Sequence, residues 1–193
     1  GCDMNELSDP AIDVYDNAMF LIALDYLLEM APDSPQASRW KSLREGIERN
    51  VRAHLWDVKR QKFIPHIYPE KSPIPEGFDE LAIHYHGGTA IAIEAGLLSK
   101  DEIRTVNAQM LENVRLSGMP SIGLTLYPVY PDGFFHGGMS KAYLYQNGGD
   151  WTWFGGRMIQ QLVVNGMVEE AYAEIHPMIE RVIQNDGFYE WYG

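Results

Sequence analysis

Apolar side chains recur at three- and four-residue intervals through most of this chain, the period of helices with one buried face. Val14, Ala18, Leu21, Ile22, Leu24 and Leu28 form one such stripe, and a Pro-Asp-Ser-Pro turn interrupts it at 32–35, so a helix is expected from about 13 to 31. Ser34 and Pro35 then occupy cap and first-turn positions for a second helix, which carries Trp40, Leu43, Ile47, Val51 and Leu55 on one face. Joined by a short turn, the two make an antiparallel hairpin. The arrangement recurs twice: a helix over 89–98 precedes one over 101–116 capped by Ser99, and a helix over 151–164 is followed, after Asn165-Gly166, by one over 168–183. Successive units lie roughly 60 to 70 residues apart, so an all-α fold of three helical hairpins is expected.

The first helix of each pair is introduced by small and polar residues: Asp13-Val-Tyr-Asp-Asn, His84-Tyr-His-Gly-Gly and Gln146-Asn-Gly-Gly-Asp. Each second helix carries more charge, which makes the first helices inner and the second ones outer. Three polar motifs then stand at equivalent ends of the inner helices, where unpaired N–H groups and partial positive charge would face a shared mouth. The connections over 58–79 and 119–145 are rich in Pro, Gly, Tyr and Phe, too aromatic for slack linkers. Within them 56–66 is expected to form a small β-hairpin, and Phe134, Phe135 and His136 to cap the cavity.

The segment Tyr145-Gln-Asn-Gly-Gly-Asp-Trp-Thr-Trp-Phe-Gly-Gly156 combines aromatic rings, amides, a carboxylate and glycines ahead of the third inner helix. Sugars need that mixture, because flat rings cover their C–H faces and fixed polar groups meet their hydroxyls. Asn147, Trp151 and Trp153 are therefore candidates to shape a sugar subsite. Asp150 is a candidate for sugar hydroxyls, although an Asp there also suits a cap or a general acid. Asp16 and Asn17 are candidates from the first inner helix, and His86 from the second. His84 and His86 have a two-residue spacing that an extended metal site can use, but no Cys or carboxylate pattern completes it, so neither metal nor cofactor is expected.

Composition narrows the partners. With 193 residues, 46% of them hydrophobic, the chain suits one globular domain. Its 27 acidic and 15 basic residues give a net charge of -12, which repels nucleic-acid backbones and anionic lipid. The apolar run 18–28 contains Asp25 and falls short of the roughly 20 residues of a membrane span. A single cysteine, Cys2, excludes an internal disulfide. Its place after Gly1 fits a lipid-anchored, periplasmic bacterial protein after leader removal, or an internal fragment.

The hairpin pattern and four motifs together resemble glycoside hydrolases of the trehalase and processing α-glucosidase type, built on a six-hairpin (α/α) toroid. The motifs are Gly1-Cys2-Asp3, Tyr15-Asp16-Asn17, Asn147-Gly148-Gly149-Asp150-Trp151 and Tyr189-Glu190, in the family's order. The resemblance implies half of such a toroid, with Glu190 as general base, Asp3 as general acid and an α-linked glucoside or related oligosaccharide as substrate. Cys2 departs from the pattern by replacing a tryptophan. Inverting hydrolysis requires the two carboxyls on opposite faces of the sugar, roughly 6.5–9.5 Å apart. A half toroid would expose apolar helix surface, which implies a second copy or an N-terminal half-domain as partner. Two other readings use the same architecture: a sugar epimerase relying on His84 and His86 for proton transfer, and a carbohydrate-binding or assembly half-domain without catalysis.

Overall fold

The computed structural model describes residues 10–135 and 137–193. Its helices are α1 (Val14–Met30), α2 (Ala37–His54), α3 (His86–Glu94), α4 (Lys100–Ser117), α5 (Thr152–Val164) and α6 (Val168–Gln184). The inner row runs α1 against α3 and α3 against α5, while α2, α4 and α6 lie back on their hairpin partners. This is the expected half-toroid of three hairpins. Burial follows the same division: α3 is buried from His86 to Ile93, whereas α2 buries Val51 alone. Val14, Ala18, Leu21, Ile91, Met158 and Leu162 from the inner row meet in one core.

Helix α3 begins at His86, three residues earlier than the apolar spacing indicates, and takes Gly87 and Gly88 into its first turn. Close helix contact explains these glycines. A Cβ on Gly87 would lie 2.8 Å from the Phe154 ring of α5, and one on Gly88 2.7 Å from Val14 of α1. At its far end the hairpin turns through Ser99, which closes a reciprocal capping box with Glu102: Ser99 N donates to Glu102 Oε2 at 2.8 Å, and Glu102 N to Ser99 Oγ at 3.4 Å.

Three two-residue antiparallel strand pairs trim the helices. β1 (Trp56–Asp57) with β2 (Lys62–Phe63) is the hairpin expected over 56–66. β3 (His84–Tyr85) pairs with β4 (Leu126–Tyr127), and β5 (Asp150–Trp151) with β6 (Trp191–Tyr192). Phe134 and Phe135, expected over the cavity, instead pack on Tyr130 with centroids 4.7 and 5.0 Å away, in a second core with Ile83 and Leu126. A ring that can bury itself in such a cluster gains more than one left over an open mouth. His136 lies outside the described residues.

Neighbouring outer helices are joined by polar contacts. Arg52 of α2 reaches Glu102 of α4 at 2.6 Å, and Asn107 of α4 donates to Glu174 Oε1 of α6 at 2.7 Å. Apolar side chains remain exposed along both open edges, Phe20, Leu27 and Met30 on α1, and Tyr172, Ile179 and Ile183 on α6. Among the described residues no helix is long and apolar enough to cross a membrane, and no group of His, Cys, Asp and Glu is arranged to hold a metal.

Glu174 is buried, and its Oε2, like Asn107 Oδ1, has no hydrogen-bond partner. Burial pushes its carboxyl up to about 7, the Glu170 charge adds to this and the Asn107 amide opposes it. An acid whose folded value exceeds its usual 4.5 contributes most when protonated, so its contribution falls as pH rises from about 4.5 through about 7. Glutamine supplies a permanent N–H in place of that proton. Glu174→Gln is therefore expected to remove roughly 2–3 kcal/mol of stability loss between about pH 5 and about pH 8, read from urea unfolding at each pH.

Candidate functional site

An open cleft of about 800 Å³ lies at the N-terminal end of α5. Trp151 from β5, then Thr152, Trp153, Phe154, Gly156, Arg157 and Gln160 from α5, supply one wall. Tyr15 of α1 and Gln146 face it, and Phe188, Tyr189 and Glu190 close the end next to β6. The rings brace one another edge to face. Phe154 meets Tyr15 at 6.2 Å and Trp153 at 4.9 Å, and Trp151 meets Tyr145 at 4.8 Å while its indole N–H donates to the Tyr145 carbonyl at 3.0 Å. Trp153 stays 44% exposed, with the Arg157 guanidinium 5.2 Å from its ring. Arg157 Nε lies 3.2 Å from Glu94 of α3, so the cation is partly balanced from beneath.

The floor of this end is polar and buried. Asp150 is completely buried, in direct contact with Arg181 of α6, and Ser121 Oγ lies 2.8 and 2.7 Å from its two carboxyl oxygens. Arg181 is only 3% exposed and donates through Nη1 to Ser121 Oγ and through Nη2 to Thr152 Oγ1, each at 3.0 Å. Its guanidinium lies over the Tyr192 ring at 4.1 Å. Burial pushes the Asp150 carboxyl up, and Arg181 and Ser121 oppose it. With an arginine in contact, the two remain an ion pair at neutral pH.

The structure brings together some of the expected residues. Trp151, Trp153 and Glu190 line the cleft. Asn147 lies beneath the cleft, accepting from Tyr130 N at 2.9 Å and donating to Tyr130 O at 3.1 Å, and so pins the 119–145 connection. Its glycines serve the same turn, Gly148 with φ of +88° and Gly149 where a Cβ would lie 2.4 Å from the Tyr145 carbonyl. Neither Asp16 nor Asn17 lines the cleft: Asn17 Nδ2 donates to Asp13 O at 2.7 Å, and Asp16 gives its backbone N–H to Asp13 Oδ1 at 2.8 Å while the residue itself is exposed. Tyr15, between Asp13 and these two, is the residue of that motif in the cleft.

His84 and His86 are buried, with ring centroids 4.9 Å apart, and His86 Nε2 lies 2.9 Å from Asn113 Nδ2. Burial pushes His84 down and His86 to about 3, so both imidazoles are neutral and neither reaches the cleft. Of the three polar helix starts, the first and third thus meet at the mouth and the second lies in the core. Asp3 lies outside the described residues. Sequence reasoning missed Tyr15, Thr152, Arg157 and Gln160 as lining residues. Trp153, Arg157 and Gln160 are spaced i, i+4, i+7 on α5, a signal that could have found two of them. Nothing in the order of residues marks Arg181, which reads as an ordinary basic residue near a helix C-terminus.

Fold and site together define a half-ring of helical hairpins with an aromatic, carboxylate-bearing cleft at the inner helix ends. No family model matches the chain, and no curated protein matches it. Among solved structures it is similar to a GH63 mannosylglycerate hydrolase from Thermus thermophilus in complex with Tris and D-glycerate, with a TM-score of 0.65 and 18% identity over 94% of this chain. The same hydrolase in complex with Tris gives 0.59 and 15%. The chain spans 40% of the length of that hydrolase. At these identities the likeness is one of fold, shared with part of a six-hairpin glycosidase.

The buried pair makes a sharp prediction about stability. Asp150→Ala leaves Arg181 buried without a counter-charge and is expected to cost about 3–5 kcal/mol in urea unfolding. A loss below about 1 kcal/mol would mean that water already reaches the pair.

Proposed function

We propose that this chain carries the sugar-binding and general-base part of a glycoside hydrolase acting on an α-linked glucoside or related oligosaccharide with inversion. The observation that carries this reading is Glu190, exposed at the end of a cleft walled by Trp151, Trp153, Tyr15 and Tyr189. Indole and phenol rings cover the apolar face of a pyranose, and Gln146, Thr152, Arg157 and Gln160 offer hydrogen bonds to its hydroxyls. The half-toroid shared with a glycosidase raises the prior for this chemistry and supplies no residue roles.

In the proposed step Glu190, ionised, takes a proton from a water as the water's oxygen attacks the anomeric carbon. The bond to the leaving oxygen breaks, and a carboxylic acid on the opposite face protonates that oxygen. Asp3 is proposed as that acid. Asn147 and Asp150 contribute by holding the cleft wall. His84 and His86, the histidines that an epimerase reading relies on, are buried and neutral and do not line the cleft, which favours hydrolysis over that rival.

A second reading has a specific observation behind it: among the described lining residues Glu190 is the one carboxylate, so the cleft can bind a sugar without completing an acid and base pair. Maltose binding by the intact chain, followed by tryptophan fluorescence, and release of glucose from maltose separate the two. Glu190→Gln is expected to keep the affinity within about threefold and to lower turnover about 10³-fold or more. Undiminished turnover in Glu190→Gln would refute the base assignment, and binding without any turnover in the parent chain would favour the binding module.

A further inference from the structure

Glu190 sits on a turn tied to both helices of the third hairpin, Gly187 N donating to the Val182 carbonyl of α6 at 3.2 Å and Thr152 of α5 reaching it from the side. The residue follows the exposed residues Phe188 and Tyr189 and precedes β6, and its backbone neighbours are tied down by two side chains. Tyr192 closes the turn on itself, its hydroxyl donating to the Gly187 carbonyl at 2.8 Å and accepting from Tyr189 N at 3.3 Å. Thr152 holds it from the side, Oγ1 donating to the Tyr189 carbonyl at 3.3 Å. Both side chains rest on one buried guanidinium, since Arg181 donates to Thr152 Oγ1 and lies under the Tyr192 ring. Its counter-ion Asp150 is the cross-strand partner of Tyr192 in the β5–β6 register.

We propose that Arg181 is a positioning residue for Glu190, acting through Thr152 and Tyr192 to fix the 187–190 turn at the end of the cleft. The proposal rests on the reading of Glu190 as the general base. A base must keep its oxygen within hydrogen-bond reach of one water, and a displacement of an ångström is enough to lose most of its effect. An exposed carboxylate on an unsupported turn would sample many positions. Arg181 suits the task because a planar fork can donate to two hydroxyls, pair with a carboxylate and stack on a ring at once, which a lysine cannot.

Amide hydrogen exchange on the full chain tests the positioning independently of turnover. Tyr192→Phe keeps the ring over Arg181 and deletes both hydroxyl bonds. Amides at 188–190 are expected to exchange about tenfold faster or more, while those of Ala90, Ile91 and Leu162 in the core keep their rates. Arg181→Lys retains the charge against Asp150, loses the stack and the fork, and is expected to loosen the same three residues. With maltose as probe, both variants are expected to lower kcat about tenfold or more with KM within about twofold, since the rings that hold the sugar stay in place. Unchanged exchange at 188–190 overturns the proposal, and so does an equal acceleration throughout the core, which would make Arg181 a general support. If the turn loosens as expected while Glu190→Gln keeps full turnover, the base assignment fails and the anchoring of the turn stands.

Discussion

The contact between Asp150 and Arg181 ties three parts of the chain together at one buried point. Asp150 belongs to the strand leading into the third inner helix, Arg181 to the last turns of the outer helix behind it, and Ser121, bonded to both, to the long connection after α4. A buried pair of this kind is weak evidence for stability in itself, because desolvation offsets much of the Coulomb attraction. Its value is geometric. Once both charges are buried, each partner has few positions that leave neither unpaired, and the walls of the cleft inherit that restriction: Trp151 and Thr152 follow Asp150 in the chain, and Tyr192 is stacked on Arg181.

The same economy of position governs the inner row. The glycines of α3 and α5 let the helices approach until Phe154 lies where side chains on Gly87 would have stood, and Met178 and Gly123 crowd the site of any Cβ on Gly155. Phe154 in turn supports the edges of Tyr15 and Trp153 in the cleft. Helix packing and the aromatic wall are thus one arrangement. A half-ring can present a shaped mouth because three inner helices already fix its curvature.

Much of this was legible in the order of residues. The period of apolar positions located the six helices of the described residues within a few positions, since one buried stripe per helix leaves a strong signal. The start of α3 was misplaced because Gly87 and Gly88 have no side chain to contribute to that stripe. The pairs β3–β4 and β5–β6 were illegible, as two residues have no alternation to read and their partners are distant in the chain. At the cleft, the Asn-Gly-Gly-Asp-Trp-Thr-Trp segment runs two roles together: Asn147 and Asp150 are buried behind the wall, and Trp151 and Trp153 line it. Polar residues at helix starts are ambiguous by nature, because a carboxylate that meets a ligand and one that meets a buried arginine look alike until the partner is known.

As the general base of a glycosidase, Glu190 requires this cleft to seat a sugar with its reacting carbon beside it. A crystal structure of Glu190→Gln grown with maltose tests that most directly. A glucosyl ring lying against Trp151 or Trp153, with a water bridging the residue 190 side chain and the anomeric carbon, is the predicted result. Maltose bound only outside the cleft, or seated in it with the anomeric carbon directed away from residue 190, would contradict the account.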